Sequence, residues 1–477
     1  MVQPRRTKIL ATMGPATDRV GVLESLIDAG VNAFRCNMSH GSHKEHQGRV
    51  DHVQKYTKEK NLTVGILVDL QGPEIRLGEF TEGSIELVGG ASFILDTTMN
   101  ETQGTQERVG LTYKDLPKDV SVDDYLLLDD GCLQLKVTGV SDTEVACKVI
   151  IGGTLSGKKG LNRKGGGLTA DALTKSDEVD IKYAIESLNA DYIAPSFVKN
   201  GDDIRRVRKL INDAGGHAHI IAKIETALAI DNLHEIIELS DGVMVARGDL
   251  GVERDDADLP SLQKMIIQEA RSADKIVIVA TQMMDSMIHS PVPTRAEVFD
   301  VANAVLDGTD VVMLSAETAN GDYPLNVIQT MDRVCRRAEQ DHRAVLSQHR
   351  VGESFERLDE SIAMGAMYIA NQLGAKCIAA LTESGSTPLY MSRISSGVPI
   401  YALSTHPETR RRVSLYRGVF PIVHEVESSK QVRFNAEVIE ELKNAGAVKA
   451  GDILVITKGD LSGDTGGTNA LKLVNVK

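Results

Sequence analysis

The chain has 477 residues, 42% hydrophobic and 25% charged, with a formal net charge of −14 at pH 7. That balance suits a globular protein of roughly three domains. It excludes a disordered, collagenous or mucin-like chain, and such acidity disfavours nucleic acid, which is held by basic stripes, and anionic membrane surfaces.

The basic start, Arg5, Arg6 and Lys8, is followed by an apolar stretch too short for a secretory signal. Apolar runs rich in Val and Ile then alternate with amphipathic segments. The runs cover residues 8–13, 31–37 and 63–70, then 192–197, 219–224, 242–246, 275–281 and 311–314. They read as parallel strands buried on both faces. Between them, Ile204, Val207, Leu210 and Ile211 fall at helical spacing, as do Leu259, Leu262, Ile266 and Ala270. Thr294-Arg295-Ala296-Glu297 is a capping-box sequence. Eight β-α units predict a closed (β/α)8 TIM barrel, built from residues 1–72 and 169–345.

Residues 73–168 interrupt the alternation with strand-like runs over 84–88, 92–95, 125–128, 133–137 and 144–151, and with no helical pattern. They predict a small β-barrel lid inserted after the third barrel strand, leaving through a Gly- and Lys-rich segment (152–167) suited to a hinge. Residues 346–477 predict an open, doubly wound α/β domain, with a helix over 354–373 and strands over 377–381, 400–404, 419–423 and 453–457. No apolar run of about 18 residues predicts a spanning helix. With no secretory signal either, the chain is expected in the cytoplasm, and its five cysteines, which form no CxxC pair, read as reduced thiols rather than a disulfide framework or a zinc site.

Chemistry in such a barrel sits at the carboxyl ends of its strands. Those ends carry Thr12, Arg35, Asn37, Ser39, His40, Asp69, Ser196, Lys199, Lys223, Glu225, Asp249, Thr281, Ser315 and Glu317. Lys223 and Glu225 are two apart and point the same way. With Asp249 one strand on, the carboxylates suit a hard divalent cation such as Mg2+, and the ammonium suits a phosphoryl group or an enolate. The glycines of Arg247-Gly248-Asp249-Leu250-Gly251 allow backbone to approach a ligand. Arg35 and Arg76 are candidate phosphate clamps. Asn37, Ser39 and Asp69 suit either a second, weakly held monovalent cation or ordinary hydrogen bonding between loops. Thr382-Glu383-Ser384-Gly385-Ser386-Thr387, between a strand and a helix, reads either as an anion site or as a capped turn.

Thr7-Lys8-Ile9 with Thr12-Met13-Gly14-Pro15, Arg35-Cys36-Asn37-Met38-Ser39-His40-Gly41 and Asp69-Leu70-Gln71-Gly72-Pro73-Glu74-Ile75-Arg76 resemble the pyruvate kinase family. So do Lys223-Ile224-Glu225, Met244-Val245-Ala246-Arg247-Gly248-Asp249-Leu250-Gly251, Ala280-Thr281-Gln282-Met283, and the stretch from Pro293 through Asp307-Gly308-Thr309-Asp310 to Ser315-Ala316-Glu317-Thr318. The resemblance implies transfer of the phosphoryl group of phosphoenolpyruvate to ADP in glycolysis, giving pyruvate and ATP. It implies Mg2+ or Mn2+ on Glu225 and Asp249, Lys223 on the phosphoryl group and enolate, and Arg35 on the phosphate. Gly248, Asp249 and Thr281 are implied for the substrate carboxylate. Asn37, His40, Arg76 and Lys182 are implied on the nucleotide side, and Thr281, Ser315 and Glu317 around the water that protonates the enolate.

The resemblance also implies K+ on Asn37, Ser39, Asp69 and the Leu70 carbonyl, with Glu74 marking dependence on that ion. It implies a homotetramer. It places a phosphorylated effector at Thr382–Thr387, completed by Arg393 and the 463–469 loop. The Leu70-Gln71 pair and the Gly165-Gly166-Gly167-Leu168 stretch resemble the bacterial branch that answers to sugar monophosphates or AMP. Two positions depart from the common pattern: Gln71 stands where many members have Lys, and Leu228 where many have a polar residue. Two other classes are compatible with parts of the pattern. A metal-dependent lyase or aldolase would also use Glu225 and Asp249, and a phosphometabolite sensor would need only the C-terminal domain.

Overall fold

The computed structural model describes residues 4–73, 75–345, 355, 357–424, 431–459 and 466–477. Eight parallel strands close into a barrel: Lys8–Thr12, Ala33–Asn37, Gly65–Asp69, Tyr192–Ala194, His219–Ile224, Gly242–Ala246, Ile276–Ala280 and Val311–Leu314. The first strand pairs with the second and with the last, Leu10 beside Ala33 and Lys8 beside Val311. Six of the strands are buried at every position, as a sheet covered on both faces requires.

Some runs extend beyond their strands for local reasons. The fourth stops at Ala194 because Pro195 has no N–H to give the ladder, and Phe197 beyond it turns to a φ of +53°. The second starts at Ala33 because the Asn32 side chain accepts from the Ile9 N–H at 3.0 Å and from Arg5. The helix Gly201–Asp213 buries Ile204, Val207 and Ile211. Thr294 and Glu297 make the capping box that opens the helix Arg295–Asp307.

The inserted domain enters after the third barrel strand, as expected, as a barrel whose circuit is completed by an irregular segment rather than by a strand. Its six-stranded sheet runs in the order Leu161–Arg163, Tyr125–Leu128, Leu133–Val140, Glu144–Ile151, Ser92–Asp96 and Arg108–Gly110. A separate pair joins Ser84–Leu87 to Gly153–Ser156. The outer strands Arg108–Gly110 and Leu161–Arg163 do not pair with each other; the segment around Arg76 and Leu77 stands between them, with Arg76 bridged to Gly160 and Leu77 to Leu111. The two outer strands and Gly153–Ser156 had no strand signal in the sequence. Nor did the helical turn Leu116–Asp119, with Pro117 in its first turn.

The C-terminal sheet has five strands, in the order Val419–Val423, Ile400–Ser404, Cys377–Leu381, Ile453–Gly459 and Thr468–Asn475. The last is antiparallel and was not foreseen. The predicted helix over 354–373 is Leu358–Leu373, and residue 354 lies outside the described residues. Among the described residues no helix is long and apolar enough to cross a membrane.

The barrel floor is continuous with this domain: Leu10, Leu67, Tyr192, Met244 and Met313 share one apolar cluster with Met391, Val413, Tyr416 and Val419. Lys8 is buried there, its Nζ donating to the Val419 carbonyl and standing 4.1 Å from the Phe420 ring centroid. Burial, then the nearby Arg5 charge, pushes its ammonium down to about 7, against the weaker pull of Glu339 and Asp310. The unfolded chain therefore binds a proton that the folded chain has released between about pH 7 and 10.5, so stability rises with pH across that window. Lys8→Met is expected to remove this slope, read as the difference between the two proteins' hydrogen-exchange protection along Val419–Val423 from pH 7 to 10, corrected for the intrinsic exchange rate. Parallel curves would refute it.

Candidate active site

The carboxyl ends of the barrel strands face the inserted domain across a cavity of about 310 Å3. Arg35, Asn37, Ser39, His40, Lys223 and Asp249 line it from the barrel side. Arg76, Asp130 and Asn162 line it from the inserted domain.

Lys223 is the centre of the charge network. Its Nζ donates to Ser196 Oγ at 2.6 Å and lies 3.3 Å from Asp69 Oδ1 and 3.2 Å from Glu225 Oε2. The other Asp69 oxygen accepts from Arg35 Nε at 2.6 Å, and Arg35 Nη1 donates to Thr12 Oγ1 at 3.1 Å. The other Glu225 oxygen accepts from the Phe197 N–H at 2.6 Å. Two buried carboxylate oxygens, Asp69 Oδ1 and Glu225 Oε2, have no hydrogen-bond partner within the protein. They lie beside the ammonium and are placed to take a cation or an additional donor.

Electrostatics separate these groups. Burial pushes the Glu225 carboxyl up to about 7; Lys223 pulls it down, while Asp249 and Asp69 push it further up. Burial also raises Asp249, again against Lys223. For Asp69 burial is outweighed by Arg35 and Lys223, which hold its carboxyl below the usual range. Burial disfavours the Lys223 charge, but Asp69, Glu225 and Asp249 outweigh it and keep the ammonium protonated.

Asp249 stands in the first turn of the helix Arg247–Glu253. Thr281 is held at a φ of +62°, and its hydroxyl accepts from the Gly248 N–H at 3.0 Å while donating to the Ala280 carbonyl at 2.7 Å. Arg247 braces this turn, gripping Asp300 through Nη1 at 2.7 Å and donating Nη2 to the Thr281 carbonyl at 2.5 Å. A left-handed, β-branched residue is costly and persists where its surroundings dictate it. The Arg247 motif was visible in the sequence, but its bracing role was not.

The expected K+ ligands lie on adjacent strand ends, with Asn37 and Asp69 paired in register. Asn37 Oδ1 is 3.3 Å from the Ser39 N–H, its Nδ2 is 3.3 Å from His40 Nδ1, and the Leu70 carbonyl accepts from Ser196 Oγ at 2.6 Å. Glu74 lies outside the described residues.

Other predicted site residues stand behind the cavity's lining or away from it. Glu317 is buried, accepting from the Ser315 N–H at 2.6 Å and the Met284 N–H at 3.2 Å. Neither it, Ser315 nor Thr281 lines the cavity. Lys182 is exposed on the helix Lys175–Glu186, 3.9 Å from Glu186, and does not reach the cleft. That helix buries Ile181 and Asp180, which leaves Lys182 on its outer side. Conversely, Lys199 and Glu253 line the cavity, and nothing in the local sequence marked Glu253 for it.

In the C-terminal domain Thr382–Thr387 forms a tight turn about Gly385, at a φ of +91°. The Gly385 N–H donates to Thr382 Oγ1 at 2.8 Å, the Ser384 and Ser386 hydroxyls are 2.7 Å apart, and Glu383 meets His406 Nε2 at 2.7 Å. Arg393 does not complete this turn. It is fully buried at the barrel floor, with its guanidinium on Asp310 and the Lys275 carbonyl. Of the expected 463–469 loop, residues 463–465 lie outside the described residues. Thr468 and Asn469 open the last strand, and the Thr468 hydroxyl is 2.8 Å from that of Thr387.

Known proteins resemble the chain over nearly its whole length. The family model for the pyruvate kinase barrel domain matches residues 4–328, and that for the pyruvate kinase alpha/beta domain matches residues 360–474. The chain is 50% identical over 477 residues to a pyruvate kinase of Buchnera aphidicola subsp. Baizongia pistaciae, covering 99% of both chains. It is 48% identical over 477 residues to pyruvate kinase II of Salmonella typhimurium, again covering 99% of both. Against the Haemophilus influenzae pyruvate kinase it is 50% identical over 459 residues, 95% of this chain and 96% of that one. A phosphotransferase of phosphoenolpyruvate and ADP, with a TIM barrel, an inserted β domain and a C-terminal α/β sheet, the chain belongs to the pyruvate kinase family.

Proposed function

We propose that the cluster around Lys223 is the phosphoryl-transfer centre, and that phosphoenolpyruvate and ADP meet in the cleft beneath the inserted domain. The observation that carries this is the buried Lys223 ammonium, set among Ser196, Asp69 and Glu225 beside two unsatisfied carboxylate oxygens. Phosphoryl transfer needs positioning and charge neutralisation more than covalent chemistry. Arg35, oriented by Asp69 and Thr12, grips the phosphate. Lys223, kept protonated by its carboxylates, stabilises the transferring group and the enolate oxygen left behind. The turn at Gly248 and Asp249, with Thr281, receives the substrate carboxylate. Arg76, His40 and Asn37 orient the nucleotide. Glu317 shapes the Ser315 turn through its backbone bonds, so that Thr281 and Ser315 order the water that protonates the enolate.

Glu225 and Asp249 fit a divalent ion that takes two carboxylates and completes its shell with substrate and water. Mg2+ or Mn2+ held there would neutralise the phosphate and enolate oxygens as a Lewis acid. Asn37, Ser39, Asp69 and the Leu70 carbonyl would hold K+.

The enzyme acts in the cytoplasm as a homotetramer and answers to a sugar monophosphate or AMP at Thr382–Thr387. One assay tests these readings: pyruvate formation from phosphoenolpyruvate, ADP and Mg2+, with K+ or without it. Activity is expected to depend on K+ and to rise with ribose 5-phosphate, glucose 6-phosphate or AMP. Equal rates without K+ would discard the monovalent site, and a stronger response to fructose 1,6-bisphosphate would discard the monophosphate reading.

A further inference from the structure

Glu253 lies one helical turn beyond Asp249 on the same short helix, lines the cleft and is buried. Its contacts join two parts of the chain. Oε2 accepts from the Ala227 N–H at 2.8 Å, just past Glu225. The Glu253 main-chain carbonyl accepts from the Gly165 N–H at 2.8 Å, where the inserted domain returns to the barrel. Gly166 closes the contact. At a φ of +74° it favours glycine, and a Cβ there would stand 2.9 Å from Glu253 Oε2 and 3.0 Å from the Ala227 Cβ.

The other side of this exit is held by the inserted domain. Arg163 donates Nη1 to the Gly166 carbonyl at 3.0 Å, and its Nε and Nη2 hold Asp124 at 3.0 and 3.1 Å. The exit is therefore clamped between Arg163 on the inserted domain and Glu253 on the helix that presents Asp249. The entry is anchored elsewhere: the Gly72 N–H donates to Asp177, and a Cβ at Gly72 would stand 2.9 Å from both Ser196 and Phe197.

We propose that Glu253 is a positioning residue that ties the exit of the inserted domain to Asp249, so that movement of that domain over the cleft and the setting of Asp249 are one event. This rests on the reading of Asp249 as a cation ligand. Coupling of this kind is reciprocal, so a cation bound at Asp249 also tightens the exit.

The test uses the full chain with Mn2+ alone as probe. Two readouts need no turnover: Mn2+ affinity by calorimetric titration, and hydrogen exchange over residues 163–167 with and without Mn2+. Mn2+ is expected to slow that exchange in the parent. Glu253→Ala is expected to weaken Mn2+ binding about tenfold and abolish the slowing, while Glu253→Gln, whose amide oxygen can still accept from Ala227, keeps both. Gly166→Ala displaces the same contact from the other side, so the double variant should bind no more weakly than the weaker single. It carries the test alone should Glu253→Ala unfold. Effects that multiply in the double variant, or Mn2+-induced slowing that survives both single substitutions, overturn the proposal. Asp249→Asn separates the two readings. Weaker Mn2+ binding in Asp249→Asn with none in Glu253→Ala overturns the positioning role alone. Unchanged binding in both overturns the cation-ligand reading, and the positioning role with it.

Discussion

Lys223→Met is expected to lower kcat about a thousandfold, the scale lost when one preorganised donor to a developing anion is removed. The reason lies in what surrounds the ammonium. Its removal leaves Ser196 Oγ without its 2.6 Å partner and takes the cation from between Asp69 Oδ1 and Glu225 Oε2. Arg35 still neutralises Asp69 from its other oxygen, so Glu225 bears most of the change. Its carboxyl, at about 7 with Lys223 pulling it down, moves further up.

The sign of the stability effect follows. Between pH 4.5 and about 7 the folded chain holds a Glu225 proton that the unfolded chain has released. This group's contribution to stability is thus present below pH 4.5 and is lost as pH rises through about 7. In Lys223→Met the loss extends to higher pH. Mn2+ binding, which needs the carboxylate, should weaken near neutrality and recover in part as pH rises. Steady-state rates with Mn2+ titrations at several pH values check all of this. A kcat within about tenfold of the parent, with unaltered pH dependence of Mn2+ binding, would take Lys223 out of the centre.

The barrel was legible because its strands are buried on both faces and have little choice but to be Val- and Ile-rich runs. Its topology then tells which end of each strand bears chemistry, so Arg35, Asp69, Lys223, Glu225 and Asp249 could be picked out together. The strands Arg108–Gly110 and Leu161–Arg163 escaped because three residues cannot display a period of two. Thr468–Asn475 escaped because, at the sheet edge, most of it is only partly covered and it lacks a continuous apolar run. Side-chain direction was the least legible property. Lys182 stands on a helix and Arg393 at the end of one, yet packing turns the first to solvent and the second into the barrel floor. Glu253 acquires its place only from the return of a segment nearly ninety residues earlier in the chain (Gly165 against Glu253), which no local pattern records.

Arg393→Met is expected to cost about 3–5 kcal/mol, because it leaves a buried carboxylate without its cation. Arg393 and Asp310 are both buried, the first in the C-terminal domain and the second just before the last barrel strand. Asp310 also accepts from the Val277 N–H at 2.9 Å and the Arg417 N–H at 3.0 Å, so the one carboxylate joins a barrel strand, the C-terminal domain and the buried guanidinium. Without Arg393 the two amides are the remaining donors to its charge, with the Arg417 and Arg271 guanidinium groups acting on it only through space. The Lys275 carbonyl also loses a donor. A chain of several domains does not unfold in one step, so a single melting temperature would blur the effect. Hydrogen exchange is the sharper readout, and the Val277 and Arg417 amides report directly on the carboxylate. Both should exchange about a hundredfold faster or more in Arg393→Met. The double variant Arg393→Met/Asp310→Leu should cost less than the sum of its two singles, because each single strands a charge that the double does not. Val277 protection that stays at the parent level would mean that the two backbone amides suffice, and that Arg393 serves only to fill space between the domains.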